Sequence, residues 1–294
     1  MERNSRLVFL LALTILPVGL AAQPARPKII DAHHHHNGDP AYLTKLVAKL
    51  DAVDGMALLV TAPKDLGSVT AFIKEHPNRL VCLGELQLDD PGAMSLVDRF
   101  HEAGCRGLGE ITSPLYNFDD RRYWPIYERA EKYRMILLFH TGIVNRMNPE
   151  VASDISVDRM RVTTLDGIAR RFPKLTLIGA HLGNPDYAWA AEIARWNPNL
   201  YFDLSGSSLI KKQDDPTFWK SIFWWSGVTS PHTPAGAPHA FEKIVFASDV
   251  FNGELEEFDR SLERHRKMLE ACQVPKAAQD NIFGGTVWRI LSGK

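Results

Sequence analysis

The sequence predicts an α/β protein built as one (β/α)8 TIM barrel. Two observations carry that expectation. Short apolar runs alternate with segments of helical periodicity along nearly the whole chain, which is the pattern of a parallel sheet with crossover helices. Four of the runs also end in a side chain able to ligate a metal, and a closed barrel brings such distant strand ends to one mouth.

The strands are expected near 28–33, 56–61, 79–85, 105–110, 135–140, 175–181, 200–204 and 243–248. The runs are largely unalternated and rich in Ile, Leu and Val, as befits parallel strands buried on both faces. Between them, apolar residues recur at helical spacing in Tyr42–Leu50, Val69–His76, Ala93–Ala103, Trp124–Tyr133, Leu165–Phe172, Ala188–Trp196 and Leu255–Cys272. The segment Ser205–Phe241 is irregular and aromatic, with Phe218, Trp219, Phe223, Trp224 and Trp225 ahead of a Pro-rich stretch holding His232 and His239. It follows the seventh strand, so it is expected either to pack on the barrel wall or to cover the mouth as a lid. Residues 281–291 read as a closing helix.

The N-terminus opens with Arg3 and Arg6, a short apolar core from Leu7 to Leu16, and the small pair Ala21-Ala22. This is the layout of a secretory signal peptide cleaved near Ala22, and its core is shorter than the roughly 20 residues of a membrane span. Residues 23–294 then form a single domain, expected in the periplasm or outside the cell. With 34 basic against 35 acidic side chains, scattered rather than blocked, the chain lacks the basic patch of a nucleic-acid binder. The expected partners are a small-molecule substrate and at most a second copy in a homodimer, with no stable membrane insertion after cleavage. Cys82, Cys105 and Cys272 have no metal or redox spacing, and all three are read as reduced apolar residues, although export would permit one disulfide.

The chemistry concentrates at strand ends. Lys28-Ile29-Ile30-Asp31-Ala32 delivers His33, His34, His35 and His36 in a row. Side chains alternate faces along a strand, so the Asp-x-His-x-His spacing selects His33 and His35, with His34 and His36 pointing elsewhere. The run Met135–Phe139 ends in His140, Leu175–Ala180 ends in His181, and Lys243–Ser248 ends in Asp249. Neutral imidazoles with a carboxylate suit zinc and similar divalent ions.

Read together, Ile30-Asp31-Ala32-His33-His34-His35, Leu138-Phe139-His140-Thr141-Gly142, Gly179-Ala180-His181-Leu182-Gly183 and Ala247-Ser248-Asp249 resemble the amidohydrolase superfamily. The resemblance is to the amidohydrolase-related branch that includes aminocarboxymuconate-semialdehyde decarboxylase. It implies that His33, His35, His140 and Asp249 hold one divalent ion, expected to be zinc, and that His181 and Asp249 move protons. A bound ion of this kind lowers the pKa of water from about 15.7 to about 7. One departure is Glu110, in Arg106-Gly107-Leu108-Gly109-Glu110-Ile111, where some superfamily members carry a carboxylated Lys bridging two metals. Glu110 is read either as such a bridge or as a carboxylate behind a metal-bound imidazole, and Glu85 offers the same choice. The expected activity is hydrolysis of a lactone, ester or amide. The alternatives are decarboxylation, with Arg146 as the clamp for a substrate carboxylate, and a barrel that binds ligand without turnover.

Overall fold

Seven parallel strands hydrogen bond in chain order: β1 (Ile29–His35), β2 (Gly55–Thr61), β3 (Leu80–Gly84), β4 (Gly107–Ile111), β5 (Ile136–Phe139), β6 (Thr176–Gly179) and β7 (Leu200–Phe202). They come from a computed structural model that describes residues 25–144, 155–226, 238–251 and 253–293. The ring closes through residues 244–250, which bridge β7 at Phe202↔Ile244 and β1 at His34↔Val250. The Val245 amide donates to Phe202 O (2.9 Å) and the Ala32 amide to Phe246 O (2.9 Å), as a barrel strand would require. The eighth run is nevertheless not a continuous strand. The Phe246 amide is taken by Ile282 O (3.0 Å) in the C-terminal segment, and Asp249 turns the chain with a φ of 55°.

Helices follow the strands as the periodicity predicts: α1 (Pro40–Val53), α2 (Leu66–Glu75), α3 (Ala93–Glu102), α4 (Trp124–Lys132), α5 (Thr163–Arg171) and α6 (Tyr187–Trp196). The first shows why. Asp39 caps α1 by accepting from the Ala41 amide, Pro40 supplies a helical φ at the first position, and Tyr42, Leu43, Leu46, Val47 and Leu50 form the buried stripe. Inside the ring, Ile30, Ala32, Met56, Leu58, Val60, Leu83, Ile136, Leu138, Ile178, Ala180 and Val245 make a separate apolar plug, joined by Val287 of the C-terminal helix. The larger core lies between strands and helices. The apolar plug thus fills the barrel below the strand ends that carry polar side chains.

After β7 come α7 (Ser207–Ile210) and α8 (Pro216–Ile222), then α9 (Glu256–Ala271), α10 (Lys276–Asp280) and α11 (Thr286–Ser292). The aromatic segment packs on the wall: Trp219, Phe223 and Trp225 are buried, and Phe218 meets Tyr187 of α6 edge-on at 5.7 Å. Residues 281–291 are helical, as expected: a π-helical turn, Asn281–Gly285, runs directly into α11. The expected signal peptide, Arg146 and His232 lie outside the described residues. Among the described residues no helix is long and apolar enough to cross a membrane.

One expectation is overturned. Cys82 of β3 and Cys105, just ahead of β4, form a disulfide with their Cα atoms 4.5 Å apart, and only Cys272 is free and buried. Both are small apolar residues in the outer core, as their strand context implied, but adjacent parallel strands bring them side by side. The sequence, which sets them 23 positions apart, gives no sign of that neighbourhood. Unfolded without reductant, the chain should show one thiol to Ellman's reagent and three after reduction. The double variant Cys82→Ala/Cys105→Ala should lose about 3 kcal/mol in urea unfolding, as expected for a disulfide closing a loop of that size.

Candidate metal centre

Strict alternation would misdirect four of the six side chains, His33, His35, Glu110 and His181. In β1, Ile30 and Ala32 face the interior, so His33 should face outward. Pairing with β2 slips by one residue between Asp31 and His34, and this bulge turns both His33 and His35 toward the mouth. The same device acts in β4, where Leu108 and Ile111 belong to the outer core and the register to β5 shifts between them. Glu110 sits inside that shift and is aimed inward. At the end of β6, Ala180 faces the interior, and His181 is redirected by a left-handed backbone (φ 63°). His140 and Asp249 follow in phase from Leu138 and Ala247, although Asp249 is itself left-handed (φ 55°). Non-glycine residues held in this region cost of order 1–3 kcal/mol each and cluster at functional sites.

The redirected side chains meet as two groups sharing one carboxylate. His33 Nε2 lies 2.9 Å from His35 Nε2, and these nitrogens are 3.4 and 3.5 Å from Asp249 Oδ1. The Oε2 of Glu110 is 3.6 Å from His33 Nε2 and 3.7 Å from His35 Nε2. Ligands held tetrahedrally at zinc distances of about 2.0–2.1 Å are about 3.3 Å apart, so the spacing suits one ion. On the other side, Glu110 Oε1 is 2.8 Å from His140 Nδ1 and 3.6 Å from His181 Nε2, with the two rings 4.7 Å apart. The metal-competent clusters among the described residues are these two, His33–His35–Glu110 and Glu110–His140–His181.

The donor set tests whether a cation fits. His33 Nδ1 lies 3.0 Å from the buried Asp203 Oδ2, and an ionised carboxylate can only accept. The Nδ1 proton is therefore fixed, and neutral His33 points its Nε2 lone pair at His35, Asp249 and Glu110. His140 repeats the pattern: Nε2–H is 3.3 Å from Ile143 O, leaving Nδ1 to face Glu110. Lone pairs and carboxylates converging without a proton between them call for a positive charge. In the metal-free chain protons supply it. Burial opposes charge on His33, but Asp249, Glu110 and Asp203 outweigh it and hold the imidazole well above its usual range. Burial likewise opposes charge on His181, yet Glu110 and Asp203 push it up to about 9. Glu110, despite burial, is kept well below the usual carboxylate range by His33, His140 and His181. The residues fit a divalent ion.

Of the sequence-predicted residues, His33, His35, Glu110, His140, His181 and Asp249 all come together. His34 points away, between Asp31 Oδ2 (2.9 Å) and Tyr42 OH (2.6 Å), and His36 is buried near Asp65, 3.7 Å off. Glu85 joins neither cluster. Three polar residues were missed. Asp203 and Ser205 stand behind the imidazoles, and Asp31, expected in phase with the ligands, instead binds the His33 and Ser248 amides at 3.2 and 2.9 Å. Asp203 carried a readable signal, because Leu200-Tyr201-Phe202 is one more apolar run ending in an acid.

The amidohydrolase family model matches residues 30–291, nearly the whole described barrel. The chain belongs to the amidohydrolase family. Amidohydrolases are metal-dependent enzymes, and the His/Glu clusters stand where such a centre is expected. No curated protein matches this amidohydrolase in sequence. Solved structures share its fold at low identity. An uncharacterised TIM-barrel protein from Bordetella bronchiseptica aligns with a TM-score of 0.63 at 15% identity, over 90% of this chain and 99% of that one. A probable 2-pyrone-4,6-dicarboxylic acid hydrolase from Acinetobacter baumannii, with citric acid bound, gives 0.58 at 13%, over 90% and 99%. A 5-carboxyvanillate decarboxylase from Novosphingobium aromaticivorans, with manganese bound, gives 0.52 at 12%, over 87% and 94%.

The ring of His181 is pressed against backbone. Gly206 has φ 95°, and a Cβ there would stand 2.8 Å from His181 Nδ1. Gly206→Ala should displace the imidazole and destabilise the protein by more than about 1 kcal/mol, since Ala is strained at positive φ. Urea midpoints of the two proteins measure the loss, and an unchanged midpoint would contradict the packing described.

Proposed function

We propose that this amidohydrolase is a metal-dependent hydrolase of small carbonyl compounds, a lactone, ester or amide, with two adjacent ion positions bridged by Glu110. The shared carboxylate carries the reading, with one oxygen facing His33 and His35 and the other facing His140 and His181. Two catalytic ions about 3.5–4 Å apart repel each other, and an anionic bridge offsets that repulsion. The single ion expected from the sequence makes no use of the inward aim of both oxygens. Zinc suits the imidazole and carboxylate donors. When bound, the metal would supply Lewis acidity toward a carbonyl oxygen and acidify water.

The chain's own residues set the rest. His33, His35 and Asp249 would hold the first position, and His140 with His181 the second. Asp249 retains about a fifth of its side-chain exposure, so its carboxylate can reach bound substrate as well as the imidazoles. It is placed to take a proton at one oxygen and release it to a leaving group. Decarboxylation on the same centre is the second reading. It needs a cation for the substrate carboxylate, and its candidate Arg146 lies outside the described residues. The Cys82–Cys105 disulfide and the leader-like N-terminus support the proposed export to the periplasm or beyond.

Metal analysis of purified protein, followed by a screen of lactones, esters, amides and aromatic carboxylates, tests the proposal. Two ions per chain are expected, falling to one in Glu110→Gln. One tightly held ion in both proteins would restore the mononuclear reading. His181→Asn should lose the second ion and keep the first. A variant that keeps both while turnover falls 10²–10⁴-fold would make His181 the acid/base group instead. Uptake should also release protons and weaken on acidification, because His181, raised to about 9 by its acidic neighbours, must give up its proton to bind.

A further inference from the structure

We infer that Asp203 is a positioning residue serving both halves of the centre: one buried carboxylate fixes the ring tautomers of His33 and, through Ser205, of His181. The inference rests on the metal-binding reading above and adds a residue to it. Asp203 follows β7 directly and is completely buried. Its Oδ2 lies 3.0 Å from His33 Nδ1. Its Oδ1 accepts from the His181 amide (2.9 Å), the Ser205 amide (3.0 Å) and the Ser205 hydroxyl (2.6 Å).

The direction of each proton follows from these contacts. The carboxylate can only accept, so Ser205 spends its single hydroxyl proton on Asp203. The Ser205 Oγ must then accept at its other contact, His181 Nδ1 at 3.0 Å. His181 therefore carries its proton on Nδ1, and so does His33 by direct contact with Asp203. Both rings are left with Nε2 lone pairs aimed at the centre, His33 toward the first position and His181 toward the second. His35 has no such bond on its second nitrogen among the contacts of the described residues, so the constraint falls on one imidazole of each group. Carboxylate partners of metal-bound histidines typically contribute 10–100-fold to affinity.

Two variants separate this role from simple packing. Asp203→Asn keeps the shape, and its amide oxygen can still accept from the His181 and Ser205 amides. Its amide nitrogen, however, replaces the acceptor facing His33 Nδ1 and forces that ring toward the opposite tautomer. Ser205→Ala removes the relay to His181 and leaves the His33 contact intact. The measurements are zinc affinity by competition with a chromophoric chelator and the histidine tautomers of zinc-loaded protein from long-range 1H–15N correlation spectra.

Asp203→Asn should weaken zinc 10–100-fold at the first position, with loss of the Nδ1–H signature of His33. Ser205→Ala should leave the first position within about twofold, weaken the second roughly tenfold, and alter the signature of His181 alone. If Asp203→Asn does not fold, the Ser205→Ala pattern decides by itself. Wild-type affinities and unchanged tautomers in the variants would overturn the inference while leaving the metal reading intact. A wild-type protein that takes up no zinc, manganese or other divalent ion would instead overturn the proposed function.

Discussion

The barrel closes on a buried carboxylate. Asp31 is inaccessible to solvent, and its two oxygens take the amides of His33 and Ser248, the Ser248 hydroxyl at 2.5 Å and His34 Nδ1 at 2.9 Å. These bonds join the first strand to the eighth segment at the level of the ligands, where the backbone ladder is interrupted. Asp249 follows Ser248, and its amide donates to His33 O at 2.8 Å. The 3.4 Å between His33 and Asp249 is thus a consequence of how the ring is sealed. A carboxyl group buried this deeply is costly unless its polar atoms are satisfied, and here four donors meet it.

Above that seal, acids and imidazoles are packed more closely than their charges allow without a cation. Glu110, Asp249, Asp203 and four histidines occupy the strand ends, and burial penalises the charged forms of His33, His181, Glu110 and Asp203. Asp203 stays ionised, well below its usual range, because His33, His181 and Ser205 outweigh its burial. The cluster recruits positive charge, whether protons or a divalent ion, and the strained backbones of His181 and Asp249 persist because the surroundings hold them. Beneath it the apolar plug of Ile30, Leu58, Leu138 and Ile178 keeps water from the barrel interior.

The same site explains what a sequence can and cannot disclose. The strand ends at His140 and Asp249 were legible because each apolar run there keeps its phase to the last residue. The Asp-x-His-x-His spacing picks out His33 and His35 by phase with Asp31, but phase with Asp31 is not what the fold uses. The bulge places them, and Asp31 turns to the barrel seam. Glu110 was legible as a carboxylate at a strand end. Its two-sided aim depends on a register shift against β5 that no local pattern encodes.

The sequence by itself determined the alternation of strand and helix, the family and the chemical types gathered at the mouth, because these follow from hydrophobic period and residue identity. Tertiary structure decided which face each side chain uses, which cysteines meet, and which acids support the imidazoles. Those outcomes depend on pairings between segments far apart in the chain: Cys82 with Cys105, Asp31 with Ser248, and Asp203 with His33. A one-residue slip between neighbouring strands turns a side chain from one face to the other, and such a slip is set by the partner strand rather than by the residues themselves.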